Sequence, residues 1–153
     1  MTPSEFIDNI LPGARICQRT AGIPVSFTIA QAALESGWGA RVRGNNLFGI
    51  KADKSWAGPT VDVPTHEVVN GERIAITDKF RAYNSWTDCL QDRAQFFFRN
   101  PRYAKCFRET TGAGWARAVA AAGYATDPGY ADSLIAIMRC RNLQQYDVPA
   151  VAP

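Results

Sequence analysis

Apolar residues recur at three- and four-residue spacing in several stretches of the chain and alternate with polar ones in a single stretch. This pattern predicts helices on both sides of one β-hairpin. The first helix opens with Thr2 as N-cap, Pro3 at its first position and Glu5 three residues after the cap, the signature of a capping box. Phe6, Ile7, Ile10 and Leu11 form its buried stripe. A second helix begins at Pro24, carries Phe27, Ala30, Ala33 and Leu34 at helical spacing, and ends at Gly37 and Gly39. Beyond the hairpin, Ser85 and Asp88 lead into a helix through Leu90, Ala94, Phe97 and Phe98, whose aromatic run reads as core. Trp115 to Ala122 makes a short Ala-rich helix stopped by Gly123. Pro128 starts the last helix, with Thr126 or Asp127 as its cap and Tyr130, Leu134, Ile137 and Met138 facing inward.

The hairpin signal is Asn70-Gly71, the favoured two-residue type I′ turn, between Val-rich and Ile-rich arms. That turn sets residue 69 opposite 72 and residue 67 opposite 74. Val61, Val63, Thr65, Glu67 and Val69 then share a face with Ile74, Ile76 and Phe80, while Arg73, Lys79 and Arg81 point the other way. Glu67 reads as the one carboxylate near the turn on an otherwise apolar face. It is expected to be buried or half-buried, which needs a reason, because an ionised group buried without a partner costs on the order of several kcal/mol. His66, the sole histidine, points away from Glu67 and reads as a surface residue.

Composition narrows the class. The chain has 153 residues, 46% apolar and 20% charged, which suits one continuous core: a domain over residues 1–145 and a flexible tail over 146–153, rich in Pro and small residues. The net charge is 17 − 14 = +3, no footprint for nucleic acid but a help in adhering to an anionic polymer. Arg99, Arg102, Lys105 and Arg108 form a basic edge, read first as a solvated face. No stretch is long and apolar enough to insert stably in a membrane, and Met1-Thr-Pro-Ser-Glu-Phe6 carries no secretory signal pattern. Cys17, Cys89, Cys106 and Cys140 form no C-x-x-C pair, which argues against zinc. They read as buried thiols, with one or two disulfides left open. No metal or cofactor is expected.

The candidate chemistry centres on Glu35. It lies one residue off the apolar stripe of the second helix, near the C-terminus, where the helix dipole disfavours a carboxylate by roughly 0.3–1 kcal/mol. Trp38, at i+3, is expected to desolvate it further. A carboxyl kept protonated near neutral pH is what general-acid cleavage of a glycosidic bond requires.

Four segments add a resemblance. Ala30-Gln-Ala-Ala-Leu-Glu-Ser-Gly-Trp-Gly39, Asn45-Asn-Leu-Phe-Gly-Ile-Lys51, Phe80-Arg-Ala-Tyr-Asn-Ser85 and Gly123-Tyr-Ala-Thr-Asp-Pro-Gly-Tyr130 resemble, in order, those of the family 73 glycoside hydrolases. The resemblance implies a lysozyme-like α+β fold, a mainly helical body with a small β-hairpin lobe bounding a glycan groove. It implies hydrolysis of the β-1,4 bond between N-acetylglucosamine and N-acetylmuramic acid, with a peptidoglycan strand as partner. Glu35 matches the family's general acid, and Glu67 its hairpin carboxylate, proposed as base or as support for the charged intermediate. Tyr124 and Tyr130 match the tyrosines of a substrate-holding segment, although Tyr130 also fits a core stripe. Asn46 and Phe48 are expected to line the groove, with Asn45-Asn46 readable as only a turn, and Trp38 is grouped with them.

A muramidase or lytic transglycosylase acting on the same polymer, and a non-catalytic glycan-binding module, stand as alternatives. A monomer is expected, made without a signal and reaching the wall after release by a phage pore, as an endolysin, or by a secretion machine.

Overall fold

The computed structural model describes residues 1–148 and is α+β: helices α1 (Pro3–Ala21), α2 (Val25–Ser36), α3 (Trp86–Arg99), α4 (Gly112–Ala121) and α5 (Tyr130–Cys140), with the antiparallel hairpin β1 (Thr60–Val69) and β2 (Glu72–Arg81). Two short 3-10 helices, Pro101–Arg108 and Leu143–Tyr146, complete it. The hairpin follows α2 after a long loop, as the pattern predicts.

Helix α2 is the hub of the helical body. Every residue from Val25 to Ala33 is buried, and α1, α4, α5 and the second 3-10 helix pack around it. The single stripe expected for it is therefore too narrow: Leu34 is only half-buried, while Ile29 and Ala32, off that stripe, are buried. A helix that is apolar or small on all sides belongs at the centre. Its polar side chains Ser26, Thr28 and Gln31 are fully buried, and each has a partner from another element.

One partner corrects the expected start of the tail. Asp147 accepts hydrogen bonds at 2.7 Å from both the N–H and the hydroxyl of Ser26, and Val148 is tied to Gln18, so residues 146–148 are docked. Residues 149–153 of the expected tail lie outside the described residues.

The capping box of α1 is present, but the helix runs past Pro12, and Leu11 is half-buried while Ala14 and Cys17 carry the core face onward. Helix α4 starts earlier than expected, at Gly112, capped by Thr111. A Cβ at Gly112 would collide with the Ser26 hydroxyl and stand 2.7 Å from Met138 Sδ, so glycine permits the close approach to α2 and α5. Helix α5 starts later, at Tyr130, because the Asp127 carboxylate accepts from the Gly129 N–H and holds Pro128 in a turn. In α5 Ile135 is buried and Ile137 only half-buried.

In α3 the expected core residue Phe98 is 74% exposed, and Arg93 is buried instead. Leu90, Arg93, Ala94 and Phe97 share one helical stripe, and Phe98 lies beside it. Arg102, Lys105 and Arg108 are exposed; with three residues per turn, the 3-10 helix stacks them in a row while Tyr103 and Cys106 face inward.

All cysteines are free, and the reading of four buried thiols fails at Cys140, which is exposed. Burial raises the pKa of Cys17 and Cys106 and pushes Cys89 up to about 12, which withholds the reactive thiolate. A chromogenic thiol reagent at neutral pH is therefore expected to titrate Cys140 alone in the folded protein, and all four cysteines after denaturation.

The hairpin register matches the expectation: Val69 pairs with Glu72 and Glu67 with Ile74, around a turn with φ 51° at Asn70 and 79° at Gly71. Burial does not follow the pleat. Glu67 is exposed, and Val69 and Ile74 on the same face are 43% and 40% exposed. That face also carries Glu72 and Asp78, opposite Val69 and Val63, so Glu67 is not its only carboxylate. A projecting two-stranded sheet has nothing layered on its tip, so a shared face there is not a buried face.

At its base the hairpin is anchored. The Arg81 N–H donates to Ile50 and the Ala52 N–H to Lys79, while the 9%-exposed Arg81 side chain pairs with Asp92 of α3 at 2.9 Å. Tyr83 donates its hydroxyl to the same carboxylate at 2.6 Å.

Candidate active site

Glu35 stands in the last turn of α2, half-buried, where the local sequence stops the helix sharply. Gly37 takes the left-handed conformation, φ 58°, and its N–H caps the Ala33 carbonyl. The buried Ser36 hydroxyl donates to the Ala32 carbonyl at 2.6 Å and accepts from the Gly39 N–H at 3.0 Å, which ties down the chain leaving the helix. Arg41 folds back onto the Leu34 and Glu35 carbonyls and lies against Gly37, where a side chain would meet its guanidinium. Each residue of Glu35-Ser36-Gly37 thus helps hold the carboxyl at a fixed helix end.

Two hollows open on either side of that carboxyl. The first, about 410 Å³, lies between the end of α2, the 40–49 loop and the hairpin base, with Arg41, Asn46, Val63 and Phe80 among its walls. The second, about 440 Å³, is bounded by Phe48, Lys51, Asp53, Arg81, Tyr103 and Tyr124. Glu35 and Gly49 line both, so the hollows form one groove with Glu35 at its midpoint. Hydrogen bonds from the Ser55 hydroxyl and N–H hold the Asp53 carboxyl below the usual carboxylate range, giving the second hollow a fixed anion.

Beneath Glu35 runs a buried polar chain. The Tyr130 hydroxyl donates to Glu35 Oε1 at 2.7 Å and accepts from Gln31 Nε2 at 3.0 Å. Gln31 Oε1 accepts from Arg93 Nη1 at 2.8 Å, and Arg93 Nη2 donates to Thr28 Oγ1 at 2.6 Å. Arg93 is fully buried, and no carboxylate pairs with it among the described residues. Its guanidinium lies over the rings of Phe48, Phe27 and Phe97 at 4.7, 5.5 and 5.3 Å; a cation–π contact is worth about 0.5–1 kcal/mol at an exposed site and about 2 kcal/mol when desolvated. Burial pulls the Arg93 pKa below that of a free arginine, and its Nε has no partner among the described residues, so the site bears a desolvation cost. Burial likewise raises the Tyr130 hydroxyl, with the adjacent Glu35 charge adding to it, so the phenol keeps its proton.

The other expected site residues are distributed unevenly. Tyr124 lines the second hollow and stacks on Tyr130, centroids 5.7 Å apart. Phe48 lines the same hollow. Asn46 lines the first, but its polar atoms are engaged: its amide donates to the Ile50 and Arg81 carbonyls, and its oxygen accepts from the Phe48 and Ile50 N–H groups. Trp38 is turned elsewhere. It lines neither hollow, packs edge-on to Phe6 and carries Arg141 over its ring, so it does not cover Glu35. The i+3 adjacency assumed for it holds only inside a helix, and α2 ends at Ser36, with Trp38 itself at φ 56°.

Glu67 shares the strand face of Val63, which lines the first hollow, but lies four residues nearer the tip, about 13 Å along the strand. His66 faces the other way, as expected, near Arg73. Sequence reasoning missed Gln31, Arg93 and Arg81. The available signal was a glutamine on a helix built mainly of apolar and small residues and an arginine on the core stripe of α3.

A helical body, a hairpin lobe and a carboxylic acid at the midpoint of an open groove make up a lysozyme-like α+β fold. A glucosaminidase family profile, described as mannosyl-glycoprotein endo-beta-N-acetylglucosaminidase, matches residues 11–143. The peptidoglycan hydrolase FlgJ of Salmonella typhimurium is 41% identical over 142 residues, 88% of this chain and 45% of its own length. The exo-glucosaminidase LytG of Bacillus subtilis is 39% identical over 150 residues, 93% of this chain and 52% of its own. The C-terminally truncated glycoside hydrolase domain of Salmonella typhimurium FlgJ superposes with a TM-score of 0.82 at 38% identity, covering 92% of this chain and 98% of that one. The chain belongs to the glucosaminidase family, family 73 of the glycoside hydrolases. It spans about half the length of the full-length FlgJ and LytG proteins.

Proposed function

We propose that the chain hydrolyses peptidoglycan as an endo-acting N-acetylglucosaminidase, cutting the β-1,4 bond on the reducing side of N-acetylglucosamine, with Glu35 as the general acid. The observation that carries this is Glu35 at the junction of two hollows, one carboxyl oxygen held by Tyr130 and the other without a hydrogen-bond partner among the described residues. A glycan strand lying across both hollows would set an internal linkage over that free oxygen.

Protonated Glu35 gives its proton to the glycosidic oxygen as the bond to C1 breaks. Attack on C1 by the carbonyl oxygen of the sugar's own 2-acetamido group fits the tip position of Glu67 better than a water activated by a close second carboxylate. The resulting cyclic cation is opened by water, whose proton returns to Glu35. Glu67, on the groove side of the hairpin, supports that cation when the lobe bends over the strand, and Tyr124 provides a ring against which a sugar packs. The groove chemistry is the same whether the chain reaches the wall as an endolysin, as an injected effector or as one domain of a longer hydrolase.

The test is mass spectrometry of purified peptidoglycan digested by the protein, before and after borohydride reduction. New reducing ends on N-acetylglucosamine are expected. Reducing or anhydro ends on N-acetylmuramic acid would instead make the chain a muramidase or lytic transglycosylase.

A further inference from the structure

Among the described residues Arg93 is a buried cation without a counter-ion, an arrangement that core packing alone does not call for. Its hydrogen bonds lead to one place. An arginine side chain has donors and no acceptor, so the Gln31 atom facing it must be the carbonyl oxygen, which turns the Gln31 amide N–H toward Tyr130. The Tyr130 oxygen, already accepting that N–H, directs its own proton to Glu35 Oε1. We infer that Arg93 and Gln31 are positioning residues for the cleavage reaction: they polarise the chain from Arg93 through Gln31 and Tyr130 to Glu35, so that Oε1 is permanently occupied as an acceptor and Oε2 alone carries the proton delivered to the glycosidic oxygen. This rests on Glu35 being the acid.

The consequence is geometric. A carboxylic acid can carry its proton on either oxygen, and here only Oε2 lacks a partner among the described residues and is free for a bond spanning the two hollows. Holding the proton on that oxygen removes a rotational and tautomeric search from each turnover. Thr28 and the rings of Phe27, Phe48 and Phe97 fix the guanidinium, so the direction of the chain is set by packed helices.

The test is a double-mutant cycle on the intact chain, using a soluble glycan oligomer from purified peptidoglycan and reading kcat, KM and thermal melting. Gln31→Glu preserves the shape and the acceptor for Arg93 but has no N–H to donate to Tyr130. We expect it to melt as wild type, to keep KM within about threefold, and to lose kcat by roughly 10–100-fold. Tyr130→Phe should lose a similar factor, and the double variant little more than either single one. If Gln31→Glu does not fold, Gln31→Met enters the same cycle under the same criterion.

A role confined to satisfying Arg93 predicts wild-type kcat for Gln31→Glu, since a carboxylate pairs with arginine at least as well. That result, or losses that multiply in the double variant, overturns the inference. Glu35→Gln is run alongside. If it is inactive while the cycle multiplies, the positioning role alone fails; if it turns over as wild type, the assignment of the acid fails and the positioning role with it.

Discussion

Glu35→Gln is expected to lower kcat by about 10²–10⁴-fold, the range ascribed to a positioned general acid, with the melting temperature close to wild type. The amide keeps the shape of the carboxyl, and its oxygen still accepts from Tyr130. Its NH₂ then occupies the groove-facing position, where the reaction needs a proton that can leave. Because Glu35 is half-buried at the end of α2 and makes no ion pair among the described residues, little stability depends on its charge. Turnover on a soluble glycan oligomer, measured beside a thermal melt, checks both halves. Activity within a few-fold of wild type in a folded variant would remove Glu35 from the chemistry.

The largest loss of stability is expected for Trp115→Ala. The Trp115 indole is fully buried among Phe27, Phe97 and Phe107, with centroids 5.6, 5.9 and 5.0 Å away, and its N–H donates to the Glu109 carbonyl at 3.2 Å. Truncation leaves a cavity at the junction of α2, α3 and α4 and removes the donor to the Glu109 carbonyl. Replacements of this kind cost about 3–5 kcal/mol, a large share of the roughly 5–15 kcal/mol that holds a domain together. At about 2–4 °C per kcal/mol for a domain this size, a fall of roughly 10 °C or more is expected by calorimetry. A fall of only a degree or two would mean that the aromatic cluster collapses into the space. Because Tyr124 follows α4 and stacks on Tyr130, turnover of the residual folded protein should also decline.

Tyr130 shows how a residue can be legible in sequence and still carry a hidden role. Its place on the apolar stripe of α5 marks it as core, and it is core, 5% exposed. Its motif marks it as a groove residue, yet what it touches is the acid itself and, behind it, Gln31. Trp38 is the reverse case: its spacing from Glu35 suggested contact, and a left-handed turn carried it to Phe6 and Arg141.

What the sequence by itself determined is local or periodic: the Thr2 capping box, the Gly37 stop that leaves Glu35 at a helix end, and the Asn70-Gly71 turn with its pairing register. Each depends on residues a few positions apart, where backbone sterics and short hydrogen bonds suffice. Tertiary structure alone decided that α2 is buried on all sides, that the hairpin tip and Glu67 stand in solvent, and that Arg93, sixty-two residues from Gln31 in the chain, closes a polar chain beneath Glu35. Burial depends on which elements lie across from a surface. A hydrogen bond between distant helices depends on how their packing orients two side chains, and neither quantity is written in the spacing along one segment.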